Sequence, residues 1–532
     1  MNGYLIALIV FLAWIGMVYV LNRIKWFEKH SMALQGPFIM WKTERGKKLI
    51  DRLASRRRLW EVYGKLSLWI CAGAMAIIMT LLLWEATIVT QVDRAPSPEL
   101  ILGIPGINPV IPVGYGILGL VIAIIVHEFA HGILTRVGDM KVRTLGLVFL
   151  VFPVGAFVEP DEEALKNTTR SKRSKVFAAG PASNIVIAMI VLGLFSGVMM
   201  SSLEPGVEGA LARGVVEGSP AEMAGIAPSS VIISVNDVPV QSAEDFNSPV
   251  YTAPGATIDI SYAYKGENKD ATVVDGIVVS FVAEGFGAYN AGIRAGMVMV
   301  SLNGTPLAKV DMIAEVLSDW EAGQTIPCVV MSYNDALDGF AVNSSIAQIT
   351  LSDKWEYYDE YNPSKNDDSY HGKAFLGGGF LYLGIEAVDV SYYSSTLASP
   401  FEGDRNLDDF SRSWLRLIAL PFLDLAPIRS PVTDLYTPSG YLEWMPDSVF
   451  WLLANSLYWI FWLNLMVGLT NVLPAVPLDG GYIFRDGISY LLDKSGRKYT
   501  KEQKDRITGS IAISLALVVL FLILWQLVGP AF

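Results

Sequence analysis

Val121–Thr135 reads VIAIIVHEFAHGILT, a run apolar enough to lie in a membrane that nonetheless carries His127, Glu128 and His131. Ionisable side chains inside a span are costly, so they mark function by default. Here they fall in the spacing H-E-x-x-H. Residues i and i+4 share a helix face, which lets both imidazoles reach one metal ion. Glu128 stands one step round, placed to take a proton from a metal-bound water. The whole chain has only 4 histidines. The bland alternative is a polar patch that glues helices together.

Working outward, the 532-residue chain is 52% hydrophobic and only 17% charged, which fits a membrane protein with a polar insert rather than one large globule. Its 2 cysteines, Cys71 and Cys328, make neither a disulfide framework nor a Cys-based metal site. The net charge of −12 is uneven: Ser201–Val449 holds 12 Lys+Arg against 34 Asp+Glu, a balance of −22, which leaves +10 for the rest. Basic-flanked spans with an acidic domain on the outer side give that split, and an acidic chain of this kind excludes nucleic acid as partner.

Six apolar segments read as spans: Tyr4–Leu21, Ser67–Trp84, Ile111–Arg136, Val176–Met200, Val449–Leu473 and Ile507–Val528. The first lacks a basic leader and a small-residue cleavage site, so it reads as an anchor. Asn22–Lys65, with 12 Lys+Arg against 4 Asp+Glu, is expected on the cytoplasmic side, part of it either a basic amphipathic helix on the membrane surface or a solvated loop. The histidine-bearing span then runs inward. His127 comes roughly 24 Å along it at 1.5 Å per residue, toward the cytoplasmic side. Thr144–Val158, broken by Gly146, Pro153 and Gly155, is too short to span and reads as a re-entrant hairpin whose strand edge is able to pair with an unwound substrate. Both termini and the acidic insert fall outside.

The insert repeats itself. Ala224-Gly225-Ile226 to Val238-Pro239 matches Ala291-Gly292-Ile293 to Thr305-Pro306 at a constant offset of 67 residues. Each copy reads as short helix, strand, turn, strand and helix, and Ser219-Pro220-Ala221-Glu222 opens the first as a helix start. Lys354–Tyr370 reads as irregular, Ala374–Val390 as strand, and Phe410–Leu425 as an amphipathic helix on the outer leaflet or a re-entrant segment, with Trp414 and Phe422 as anchors. Sequons stand at Asn303 and Asn343.

A catalytic zinc wants three protein ligands and an open position. Leu134 occupies the place where a third histidine would continue the motif. Asp479 is the better candidate. It follows an inward-running span, two prolines (Pro474 and Pro477) stop the helix before it, and Gly480 and Gly481 let the backbone come close to the partner helix. The alternative is a turn or cap aspartate at the membrane edge.

HEFAHG at His127–Gly132, the Ala179-Gly180-Pro181 entry to the fourth span and NVLPAVPLDGG at Asn471–Gly481 together resemble the site-2 protease family of intramembrane zinc metalloproteases. The resemblance covers roughly Ile111–Asn184 and Trp451–Gly481. It implies one Zn2+ on His127, His131 and Asp479, with Glu128 as general base and Asn471 near the substrate or an oxyanion. The two repeats resemble PDZ domains of the permuted bacterial type, although the usual Gly-Asp before the strand is Ser229-Ser230 in one copy and Gly296-Met297 in the other.

The expected architecture is therefore a polytopic α-helical membrane protein, with about six transmembrane helices, a re-entrant hairpin and an extracytoplasmic α+β insert of two PDZ-like domains. The expected divisions are residues 1–110 (two spans and a basic loop), 111–200 (first half of the catalytic core), 201–285 and 286–350 (the PDZ-like domains), 351–448 (an extension) and 449–532 (second half of the core). The expected function is cleavage of single-span membrane proteins already trimmed by another protease, in the plasma membrane of a prokaryote, with the PDZ-like domains gating entry. The competing class is an inactive membrane-anchored PDZ scaffold with a relic metal site. A transporter would require inverted repeats among the spans, which the sequence lacks.

Overall fold

The computed structural model describes residues 3–30, 32–43, 46–91, 95–150, 152–250, 253–342, 346–496 and 499–531. The chain divides into two compact units. One holds Met1–Met199, Phe401–Pro427 and Leu452–Phe532, the other Met200–Pro400 and Ile428–Trp451.

The first unit is built on helices α1 (Gly3–Arg23), α2 (Arg57–Ile88), α3 (Val113–Val137), α4 (Arg170–Leu194), α5 (Asp447–Asn471), α6 (Asp479–Lys494) and α7 (Lys501–Val528). Five of them (α2, α3, α4, α5 and α7) are long and apolar enough to cross a membrane. The expected first span falls in α1, whose described apolar stretch, Ile9–Arg23, is shorter. Small residues let the spans approach closely. On α4, Ala178, Ala179, Ala182 and Ala188 are all fully buried. Cys71 of α2 and Val472, just past α5, complete a core with Ala178 and Ala182. Val519 and Leu522 of α7 pack with Leu82 and Leu473.

The first unit also contains a four-stranded antiparallel sheet: β1 (Met32–Gln35), β2 (Phe38–Thr43), β3 (Val142–Leu150) and β4 (Phe152–Pro160), in the order β1-β2-β3-β4. The expected hairpin over Thr144–Val158 is thus two paired strands, with Leu145 opposite Val158. The sequence reading missed its two partners. Trp41 of β2 lies opposite Leu147, so part of the segment read as a basic loop is structural. A helix does form in that segment, at Lys47–Ala54; it buries Ile50 and Ala54 with Ile133 and Leu134 of α3 and leaves Leu49 and Leu53 exposed. β4 is the last strand in the order, and among the described residues no strand pairs with its outer edge.

Phe410–Leu425 becomes the helix Leu407–Ala419, capped at Asn406, followed by a 3-10 turn. Tyr458 of α5 donates to the Leu417 carbonyl at 2.8 Å and the Trp462 indole to that of Ile418 at 3.0 Å, so this helix is fastened to α5.

The second unit carries the repeat. One sheet comprises β5 (Ala210–Val215), β6 (Val231–Val235), β7 (Thr257–Tyr264) and β8 (Glu267–Val274); its counterpart contains β9 (Ile277–Val282), β10 (Val298–Leu302) and β11 (Thr325–Asn334). Matching details recur at the 67-residue offset. Bulges fall between Ile232 and Ser234 and between Met299 and Ser301. Left-handed residues recur at Gly225 and Gly292 and at Asn236 and Asn303. Ser219 caps the first short helix as read, accepting from the Glu222 N–H at 3.2 Å.

Two consecutive strands, β12 (Gly378–Tyr382) and β13 (Ile385–Asp389), complete one sheet each: β13 pairs with β5, and β12 with β9. Two expected boundaries shift accordingly. The second sheet begins at Ile277, ahead of the division placed at 285, and the extension at 351–448 supplies the last strand to each copy. Each copy closes on a strand distant in sequence. Lys354–Tyr370, read as irregular, holds the helix Lys354–Tyr361, capped by Asp353 and lined by stacked Tyr357 and Tyr361. The Asn303 sequon occupies a tight turn, while Asn343 lies outside the described residues.

Candidate metal centre

α3 places His127 and His131 one turn apart with their Nε2 atoms 3.0 Å from each other. Asp479 is the first residue of α6, and its Oδ2 lies 3.0 Å from the His127 Nε2 and 3.2 Å from the His131 Nε2. All three side chains are nearly buried, with exposures of 10%, 13% and 14%.

His131 Nδ1 donates to the Val176 carbonyl of α4 at 2.7 Å, which fixes its tautomer and leaves a lone pair on Nε2. Three lone-pair donors therefore converge on one point. Without a cation between them, or a proton shared among them, that arrangement is repulsive in a low-dielectric site. Ligands 2.0–2.1 Å from a tetrahedral zinc stand roughly 3.3 Å from one another, close to the observed separations. The donor set, two imidazoles and a carboxylate, suits zinc and leaves one position open. The buried Nδ1 of His127 has no hydrogen-bond partner among the described residues.

Gly180 shows how tightly α4 closes over this point. A Cβ built there would lie 2.4 Å from His131 Nε2 and 2.7 Å from His127 Nε2. Ala179-Gly180-Pro181 was read as the entry to the fourth span, with no contact to the histidines assigned to it. Its glycine is in fact the roof of the cluster. Gly480 and Gly481 differ from expectation in the other direction. Cβ atoms there would collide with the Val472 carbonyl at 2.1 Å and the Val476 nitrogen at 2.5 Å, so they admit the preceding loop and not a partner helix.

Glu128 and Asn471 line the same cavity of about 300 Å³ as the three converging residues. The Glu128 carboxylate accepts the Val158 backbone N–H of β4 at 2.8 Å. Asn471, at the end of α5, donates to the Val467 carbonyl at 3.0 Å. Every candidate residue named from the sequence is thus gathered at one place. Sequence reasoning did not identify the supporting shell of Val176, Gly180 and Val158. Two of these act through backbone atoms, whose side-chain identities carry no signal.

Comparison with known proteins agrees with this geometry. The model of peptidase family M50 matches residues 115–519. An uncharacterized protein of Methanocaldococcus jannaschii is 33% identical over 166 residues, 30% of this chain and 44% of that one. A putative zinc metalloprotease of Clostridium acetobutylicum is 25% identical over 185 residues, 30% of this chain and 52% of the relative. The zinc metalloprotease RasP of Shouchella clausii is 31% identical over 138 residues, 25% of this chain and 31% of RasP. The chain spans about half or less of the length of these relatives. The family match nevertheless takes in all of α4, α5 and α6, the part of α3 that bears the histidines, and with them every residue of the cluster, and on that ground the chain belongs to peptidase family M50.

Proposed function

We propose that the protein is an intramembrane zinc metalloendopeptidase that cuts single-span membrane proteins within or near the bilayer. The observation that carries this reading is the convergence of His127, His131 and Asp479 beside Glu128, with the histidines and Glu128 on α3, a helix apolar enough to cross a membrane. His127, His131 and Asp479 would hold one Zn2+. When bound, the ion would supply Lewis-acid polarisation of a peptide carbonyl and a bound water acidic enough to be used near neutral pH. Glu128, in the same cavity, would be the general base that accepts a proton at its carboxylate and returns it to the leaving amine. Asn471, in the same cavity, is placed to steady the substrate or an oxyanion.

A helical substrate hides its carbonyls in its own hydrogen bonds, so it must unwind before it is cut. The unpaired edge of β4 supports a route: the unwound segment pairs with that strand, which also carries the Val158 N–H bound to Glu128. Orientation follows from loop charge, with the site toward the cytoplasm of a prokaryotic cell and the repeats outside.

The repeats, read as PDZ-like, would filter substrates trimmed by an earlier protease. In the second copy a groove of about 520 Å³ runs between the edge strand β12 and the helix Asp311–Leu317, flanked by Lys354 and Lys373. In the first copy the corresponding helix, Ala243–Asn247, is tied to the edge strand by the Asp389 carboxylate, which accepts the Ala243 N–H at 3.0 Å. The second copy is therefore the better receptor for a peptide end.

The test is Glu128→Gln with a labelled single-span substrate and zinc content measured together. Zinc retained with cleavage abolished is expected. Unchanged cleavage would remove the peptidase assignment, and an unchanged cellular phenotype would favour the scaffold.

A further inference from the structure

α6 reaches the metal cluster only through its first residue, and it follows a loop, Val472–Leu478, that contains Pro474 and Pro477. That loop is not helical, although Gly480 and Gly481 pack against it at the start of α6. A second tie, made by side chains, runs along the antiparallel contact between α4 and α6. Arg173 Nε meets Asp486 Oδ2 at 3.0 Å, and its Nη2 meets Asp486 Oδ1. Ser174 Oγ donates to Asp486 Oδ2 at 3.0 Å. One turn nearer the cluster, Phe177 stacks on Tyr482 with centroids 4.5 Å apart and rings 11° from parallel. The next step along α4 is Gly180, against the histidine nitrogens, and the next back along α6 is Asp479. Each advance of four and then three residues on α4 is matched by the same retreat on α6. At the far end Arg170 pairs with Asp493 and reaches Ser489 Oγ at 3.2 Å.

The Asp486 side chain is only 8% exposed and both of its oxygens are bonded. A buried ion pair is a poor way to gain stability, and its best-attested use is to fix register. α4 already orients His131 through the Val176 carbonyl. The same helix is thus the reference beam for both segments of the cluster.

We propose that Asp486, gripped by Arg173 and Ser174, is a positioning residue: it locks α6 in register on α4 so that the Asp479 carboxylate meets the two imidazoles, and it thereby sets metal affinity from two helical turns away. The proposal rests on the metal-site reading above.

The test uses the full chain in detergent, stripped of metal, with Zn2+ alone titrated against a competing chelator. Asp486→Asn and Arg173→Gln are each expected to weaken zinc binding about 10–100-fold, as removal of outer-shell partners does. The double variant should be no worse than either single one, because both remove one interaction. The exchange Arg173→Asp with Asp486→Arg should recover most of the affinity. Arg170→Gln, at the exposed end, should stay within about twofold of wild type. On a single-span substrate apparent kcat should fall with KM unchanged and recover at saturating Zn2+, a recovery that general loss of fold would not produce. If Asp486→Asn does not fold, Ser174→Ala reads the same quantity, with a loss of about threefold or more expected for one hydrogen bond to a charged group. Wild-type affinity in the folded Asp486→Asn variant, or in Ser174→Ala where it is the substitute, overturns the proposal. Asp479→Ala separates the two readings: if it too binds zinc normally the metal site itself fails, whereas loss there alone sinks only the positioning role.

Discussion

The Glu128 carboxylate is fastened to the backbone N–H of Val158 at 2.8 Å, so the acid beside the histidine pair and the edge strand β4 are one mechanical piece. Substrate that pairs with β4 would be delivered in register with the acid. Val158→Pro deletes the donor, and an edge strand tolerates proline. Turnover should fall about tenfold or more, the worth of a hydrogen bond to a charged group, with zinc content unchanged. Steady-state kinetics with metal analysis decides it. Undiminished turnover would detach β4 from the chemistry.

Gly180→Ala should empty the metal site without unfolding the chain. Alanine favours a helix interior over glycine by about 1 kcal/mol, so α4 itself is not weakened. The added carbon, however, would stand 2.4 Å from His131 Nε2, where the metal needs room. The expected result is zinc far below one equivalent and no cleavage, with an unchanged far-ultraviolet circular dichroism spectrum. One full equivalent of zinc would show that α4 does not roof the site.

Asp275 joins the two repeats and gives a pH signature. Its Oδ2 accepts the Ala253 N–H at 2.6 Å, its backbone carbonyl accepts from Gly255 at 2.8 Å, and it sits between β8 and β9. Burial pushes its carboxyl above the ordinary carboxylate value, with the Ala253 and Tyr382 hydrogen bonds opposing. Because the folded value is the higher one, its stabilising contribution is complete below the unfolded value of about 3.9 and is lost as pH rises through the folded value. Asp275→Asn keeps the acceptor and removes the charge. It should slow amide exchange in β8 and β9 at neutral pH, and the gain should vanish near pH 4. Faster exchange at neutral pH would contradict this.

Metal removal should act on function before fold. Most of the first unit is held by apolar packing, as at Val519 and Leu522 on Leu82 and Leu473. Stripping the chain with a chelator should abolish cleavage, and one equivalent of Zn2+ should restore it, with the helical content constant throughout. Full activity in the stripped protein would rule out a metal requirement.

The chemistry was legible because it is carried by side chains at short, rigid spacings. The two histidines declare themselves by helix periodicity, and Asp479 by the proline and glycine punctuation around it. The repeat was legible because one offset carries its turns and helix starts together. Strands β1 and β2 were not, since they are short and lie among basic residues, and β2 finds its partner β3 about a hundred positions later in the chain. Non-local pairing of that kind leaves little local trace. The segment holding β12 and β13 read correctly as strand, but its service to both repeats is a matter of topology. The Arg173–Asp486 grip was hidden for a similar reason: each partner looks like an ordinary cytoplasmic charge until α4 and α6 are side by side.

The central claim is that one metal ion is held by His127, His131 and Asp479. Zinc K-edge X-ray absorption on the intact protein tests it most directly. The account predicts a four-coordinate ion with nitrogen and oxygen neighbours at about 2.0–2.1 Å, two of them imidazoles, and loss of one oxygen scatterer in Asp479→Ala. A sulfur shell near 2.3 Å, or a shell indifferent to residue 479, would contradict it.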